Sequence, residues 1–166
     1  KSKSSAGWLR ALGHDVSLET WTTRFSPVCP EPPQPRREPF TFLFNGGTLR
    51  RTGYGTRRNV ETAVEAFKIA QQLHQAPLNL VVKVIAAPSE CQWLVELCDV
   101  ENVRLVHGQF SQDQMDALHR SVDCVLYPSR WEGFGLSCLE ALHAGKPVIC
   151  TDGVPMKEIV TDGHDG

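Results

Sequence analysis

Residues 123–150 read DCVLYPSRWEGFGLSCLEALHAGKPVIC, and three kinds of local pattern follow one another inside them. Asp123 to Tyr127 is a short apolar run stopped by Pro128, which lacks the N–H a ladder needs, so it reads as a strand. Gly133 and Gly135 then mark a tight turn. Leu136 to Ala144 is made of good helix formers and is closed by Gly145, the residue that best takes a left-handed helix stop. Pro147 to Cys150 is apolar and strand-like again. Two strands flanking one helix form a βαβ unit, and such a unit places its strands parallel.

The same alternation continues upstream. Thr41 to Asn45 is an apolar, aromatic strand that ends in Gly46-Gly47. Val60 to Leu73 has apolar residues at Val60, Ala63, Val64, Phe67, Ala70 and Leu73, a helical stripe. Leu78 to Ala87 reads as a strand rich in Val and Ile, and Ser89 to Cys98 as a helix with Trp93, Leu94 and Leu97 on one face. Val103 to Val106 is a further strand. Ser111 and Gln114 have capping-box spacing and open a helix running to about Ser121. Downstream, a short helix is expected near Pro155. Five strands of this kind, apolar almost throughout, predict an α/β, Rossmann-like doubly wound parallel sheet covered on both faces. Numbering its strands along the chain, the expected order is 3-2-1-4-5.

Residues 1–40 differ. Pro27, Pro30, Pro32, Pro33, Pro35 and Pro39 crowd one stretch, and Ser26 to Pro39 reads as an extended linker. Ahead of it a short helix stopped by Gly13 and a strand from Val16 are expected. The division is therefore 1–40, a linker or a remnant of a preceding domain, and 41–166, one ligand-binding domain. The formal net charge is −2, from 17 basic and 19 acidic residues, which offers no general footprint for nucleic acid. No apolar run approaches the ~20 residues of a membrane span. The six cysteines, Cys29, Cys91, Cys98, Cys124, Cys138 and Cys150, contain no C-x-x-C pair. Cys124 and Cys150, inside apolar strand-like segments, read as small buried hydrophobes of a reducing, cytoplasmic compartment. The six histidines show no metal-ligand spacing and are expected to be packing or solvated residues.

In a sheet of this order ligands bind at the carboxyl ends of the strands, where the order reverses. Two loops should face each other there. One runs from Gly46 to Arg58 and carries Arg50, Arg51, Arg57 and Arg58. The other is Ser129 to Gly135. Glycines let a ligand approach the backbone, and the helix from Leu136 aims its free N–H groups and positive dipole end at the same place. Guanidinium groups grip phosphate oxygens in a fork. The arginine loop alone would also suit a solvated basic segment; the two loops together fit a diphosphate. Glu132 precedes the glycine turn, and Glu140 follows eight positions later among the apolar Leu139, Ala141 and Leu142. A carboxylate there needs a partner, and ligand hydroxyls would serve.

Residues 127–149 resemble the E-x7-E signature of a large family of retaining glycosyltransferases, group one or family four, which includes glycogen synthases and bacterial mannosyl- and glucosyltransferases. Phe42 to Thr48 and Glu61 to Phe67 resemble the opening strand, glycine turn and helix of that family's donor-binding domain, so the likeness covers about residues 41–166. The resemblance implies the C-terminal half of a two-domain GT-B fold. Glu132 would be the catalytic-site carboxylate that contacts donor-sugar hydroxyls, and Glu140 would hold the ribose. Gly46, Gly47, Gly133, Phe134, Gly135 and Leu136 would supply donor-binding backbone, and Arg50 or Arg51 together with Arg58 the phosphate contacts. Two departures stand out. The arginine loop is longer than the family's usual spacing, and Arg58-Asn59 stands where Lys-Gly is usual. The chain also reads as incomplete at its C-terminus and as lacking the acceptor-binding domain, so by itself it is expected to be inactive.

The function implied is transfer of a sugar from a nucleotide-diphosphate sugar, with retention and without a metal or other cofactor, to a saccharide, lipid or protein acceptor. Membrane contact would come only through another domain. The alternative is a nucleotide-sugar-binding module without catalysis. A dinucleotide oxidoreductase fits less well because G-x-G-x-x-G is absent after the first strand, and an epimerase or phosphorylase of the same fold fits the 127–149 segment less well.

Overall fold

The computed structural model describes residues 10–13, 38–49, 51–53 and 55–166. The proline-rich linker up to residue 37, Cys29, His14 and Arg50 lie outside the described residues. Residues 10–13 form a turn in which the Gly13 N–H donates to the Arg10 carbonyl at 2.9 Å.

Five strands form one parallel sheet: β1 (Phe40–Gly47), β4 (Leu78–Val84), β5 (Val103–His107), β6 (Cys124–Tyr127) and β7 (Val148–Cys150). A two-stranded hairpin, β2 (Arg51–Thr52) and β3 (Gly55–Thr56), stands apart from it. The sheet order is β5-β4-β1-β6-β7, which is the expected 3-2-1-4-5. Central β1 pairs on both sides, Phe42 lying opposite Leu80 of β4 and Cys124 of β6. The order reverses between β1 and β6.

Alternation along the strands sorts the core into two layers. Phe44, Leu80, Val82 and Val84 face α1 (Val60–Leu73) and α2 (Gln92–Leu97), meeting Val60, Val64, Phe67 and Leu94. Leu43, Val81, Val125 and Tyr127 face the other way, toward α3 (Gln112–Arg120) and α4 (Leu136–His143), meeting Leu118, Cys138 and Ala141. Ser111 caps α3 as its sequence predicts: its hydroxyl accepts from the Gln114 N–H at 3.3 Å, and the Gln114 side chain accepts from the Ser111 N–H at 2.8 Å.

Three expectations are corrected. The strand read as Leu78 to Ala87 ends at Val84. Its neighbours β1 and β5 end at Gly47 and His107, so beyond the Ile85 N–H bond to Gly47 apolar residues have no ladder to join. The helix read from Ser89 to Cys98 is a 3-10 turn, Pro88–Glu90, followed by the shorter α2. The short helix expected near Pro155 is present as one 3-10 turn, Met156–Glu158, with Pro155 at its N-cap. Edge strand β7 also leaves Ile149 exposed, so burial on both faces fails there. Cys91, Cys98, Cys124 and Cys138 are free and buried, and Cys150 is half-buried.

His119 is the buried histidine of α3. Burial holds its imidazole below the ordinary range; Asp116 pulls the other way and Lys146 adds to the lowering. The folded protein therefore resists a proton that the unfolded chain accepts near pH 6.5. The associated stability is present above that pH and is lost as pH falls toward the depressed folded value. Urea melts at pH 7.5 and 5.5 should show this loss, and His119→Gln should reduce it.

Candidate active site at the carboxyl ends of the sheet

The site is built where β1 and β6 diverge. The hairpin returns the chain to Thr56, whose hydroxyl accepts from the Val60 N–H at 3.2 Å and donates to Glu61 at 2.7 Å. This ties down the start of α1 and fixes the turn at Arg57 and Arg58. Asn59 closes that turn in the left-handed region, at φ 59°, a conformation asparagine tolerates better than most residues.

The loop after β6 packs directly against this turn. The Arg130 N–H donates to the Arg57 carbonyl at 2.9 Å, and the Arg130 guanidinium donates to the Asn59 side chain at 3.1 Å. Arg57 donates to the Trp131 carbonyl at 3.2 Å and lies 5.1 Å from the centre of the exposed Trp131 ring. The two loops that sequence reasoning set face to face are thus joined by hydrogen bonds and charge.

Glu132 holds the centre of the joint. Its carboxylate lies 2.5 Å from Arg57 Nη1 and 3.4 Å from Arg58 Nε, with the side chain only 9% exposed. Arg58 also donates to the Tyr127 hydroxyl at 2.8 Å and to Ser137 at 3.4 Å. Burial pushes the buried Tyr127 hydroxyl well above the ordinary phenol range, against the pull of Arg58.

The glycines are used unequally. Gly135 is the N-cap of α4 at φ 84°, and a Cβ there would stand 2.9 Å from Ile159 Cδ1. Gly133 has no left-handed φ, and a Cβ there would meet nothing within 4 Å, so its surroundings are open. Phe134 is half-buried and Leu136 exposed. In the first loop Gly47 is left-handed at φ 57°, while a Cβ on Gly46 would stand 2.9 Å from the Phe44 ring. Both glycines end β1 beside the site. Arg51 belongs to β2, and its side chain lies outside the described residues.

Glu140 is half-buried in α4. Burial raises its carboxyl above the ordinary range, opposed first by Arg58 and then by Lys83. Lys83, only 4% exposed on β4, was missed by sequence reasoning. A lysine inside the run LNLVVKV was the available signal, since lysine is almost never fully buried unless paired.

A family model described as glycosyl transferases group 1 matches residues 53–166. The chain belongs to this family. Among sequence relatives, an uncharacterized 41.2 kDa protein in the cps region of Klebsiella pneumoniae is 37% identical over 131 residues, covering 79% of this chain and 33% of the relative. The lipopolysaccharide core biosynthesis mannosyltransferase LpsB of Rhizobium meliloti is 47% identical over 47 residues, 28% of this chain and 13% of the relative. The chain thus spans a third or less of either relative. In fold it is similar to the C-terminal domain of a glycosyl transferase group 1 protein, LpcC, from Francisella tularensis, at TM-score 0.59 and 22% identity over 74% of this chain and 63% of that one. It is also similar to the apo form of the lipopolysaccharide outer core galactosyltransferase WaaB, at TM-score 0.62 and 23% identity over 96% and 44%. The group 1 domain described here is α/β and Rossmann-like. No helix among its described residues is long and apolar enough to cross a membrane.

An ionised Glu140 is disfavoured by its burial, so the contribution of this one group to stability is greatest below pH 4.5, where the carboxyl is protonated in both states, and is lost as pH rises through the raised folded value. Glu140→Gln should therefore raise the melting temperature at pH 7.5 and change it little at pH 4. Thermal melts at the two pH values check the sign.

Proposed function

We propose that this chain forms the donor-binding half of a retaining glycosyltransferase that takes a sugar from a nucleoside-diphosphate sugar without a bound metal. The observation that carries the reading is the convergence of Arg57, Arg58, Glu132, Glu140 and the amino end of α4 at the switch point of the sheet. Such a site suits an anion that also carries hydroxyl groups.

The diphosphate would lie against the N–H groups that open α4, with Arg58 and Arg57 on its other side. Its charge would compete with Glu132 for both arginines. The released carboxylate would then accept hydrogen bonds from the donor sugar, while Glu140 accepts those of the ribose. The bond from the anomeric carbon to the phosphate oxygen breaks, and the acceptor oxygen bonds that carbon on the same face. The acceptor proton passes to the leaving phosphate. Fixed dipoles and guanidinium groups stabilise the charge that develops there. Gly46, Gly47, Gly133 and Phe134 are proposed as donor-contacting backbone. The acceptor, whether saccharide, lipid or protein, would be held by another part of the whole protein.

Calorimetry on the purified protein should show tighter binding of a nucleoside diphosphate than of the nucleoside; equal affinity would overturn the reading. Glu140→Gln should weaken diphosphate binding by about 1–2 kcal/mol, the scale of a hydrogen bond to a charged group. Glu132→Gln, which removes the charge competing for Arg57 and Arg58, should leave that affinity intact or raise it and should lower turnover in the whole enzyme. The opposite pattern would mean that the two carboxylates have exchanged roles.

A further inference from the structure

Trp131 stands at the rim of the candidate site and is 66% exposed. A single exposed apolar side chain needs no explanation, but this one is held in place. Arg57 grips it twice: its guanidinium donates to the Trp131 carbonyl at 3.2 Å and lies 5.1 Å from the centre of the ring. The residues on either side are held as well. The Arg130 N–H donates to the Arg57 carbonyl and its side chain to Asn59, and Glu132 pairs with Arg57 and Arg58. The loop thus presents an indole to water in a set orientation. A side chain fixed in this way has little freedom left to lose when a ligand arrives.

One guanidinium, that of Arg57, meets both the Glu132 carboxylate and the Trp131 ring. A single small planar group therefore bridges the two, and the indole lies beside the carboxylate. A pyranose ring has two kinds of surface: hydroxyl groups around its rim, and faces made of weakly positive C–H groups. A carboxylate accepts from the first, and the electron-rich face of an indole attracts the second. The ring already holds one positive group against its face. A diphosphate that draws Arg57 from Glu132 would draw it from the indole too, and the face would pass to the sugar.

We propose that Trp131 is a sugar-binding residue of the donor site, its indole stacking on the pyranose ring carried by the nucleotide while Glu132 takes that ring's hydroxyl groups. The proposal rests on the donor-site reading above. Trp131 acts on the sugar and not on the diphosphate. Removing the indole also removes a competitor for Arg57, so diphosphate affinity should be unchanged or raised. The quantity that reports on Trp131 is therefore a ratio, the affinity for a nucleotide sugar over that for its own diphosphate.

The test is calorimetry of UDP-glucose, UDP-galactose and GDP-mannose beside UDP and GDP. The nucleotide sugar bound tightest, and its diphosphate, are then carried through Trp131→Phe, Trp131→Leu and Trp131→Ala. The ratio should fall about two- to tenfold in Trp131→Leu and Trp131→Ala, the scale of one aromatic contact. It should hold in Trp131→Phe, which keeps an aromatic face. Melting temperatures should stay near that of the wild type, because the replaced side chain is exposed; if Trp131→Ala does not fold, Trp131→Leu against Trp131→Phe decides. A ratio unchanged in Trp131→Leu and Trp131→Ala overturns the role of Trp131 and leaves the donor-site reading standing. A ratio that falls as far in Trp131→Phe marks a disturbed loop in place of stacking and overturns that role as well. Failure of the wild type to bind either diphosphate or any of the nucleotide sugars overturns the donor-site reading and the role of Trp131 with it.

Discussion

A guanidinium group cannot be deprotonated in a protein, so an arginine largely withdrawn from water needs acceptors around it. Arg58, its side chain 19% exposed, finds them by drawing three elements together. It reaches Tyr127 at the end of β6, Ser137 in the first turn of α4 and Glu132 in the loop between them. Its field also opposes the effect of burial on Glu140. The turn before α1, the end of β6 and the start of α4 are thus fixed relative to one another by one side chain. Arg57 adds a second cation to Glu132 from the more exposed side and stacks on Trp131. The position of Glu132 follows from this arrangement.

Much of the fold was legible because its signals are local. The α1 stripe predicted Val60 to Leu73, the span observed, since apolar spacing of 3.6 residues is a property of the helix itself. Gly135 and Gly145 marked the ends of α4 for conformational reasons, and both take positive φ. The hairpin of β2 and β3 was not legible. Each strand is two residues long, too short for any alternation to show. The pairing of Glu132 with Arg57 and Arg58 was hidden for another reason. Sequence reasoning put those groups at one place and offered the arginines to phosphate, but which charge satisfies which depends on distances a spacing pattern does not carry. Lys83 was visible as an oddity in an apolar strand, but its contact with the Phe110 ring depends on packing that a spacing pattern does not carry.

The ion pairs of Glu132 bear on how such a site can exist without ligand. An unpaired carboxylate buried at the end of a sheet would carry a heavy desolvation cost. Arg57 and Arg58 supply the missing counter-charge. On the proposed function, an arriving diphosphate would bring more negative charge than one carboxylate and would displace Glu132 from both. The carboxylate would then be free when hydroxyl groups arrive to occupy it. In this arrangement binding exchanges one set of charge contacts for another, and the site need not hold a bare charge in either state.

Glu140 and Lys83 follow a different logic. Neither forms an ion pair among the described residues, and burial works against the charged form of each. Charges that oppose folding in this way are concentrated at sites where a ligand makes use of them. A carboxylate locked in a close salt bridge would have its acceptor lone pairs occupied, and ligand hydroxyls would have to compete for them. A cation that acts through its field leaves those lone pairs open while still favouring the ionised form. On the proposed function, the lack of an ion pair on Glu140 among the described residues leaves its acceptor positions open to ligand hydroxyl groups.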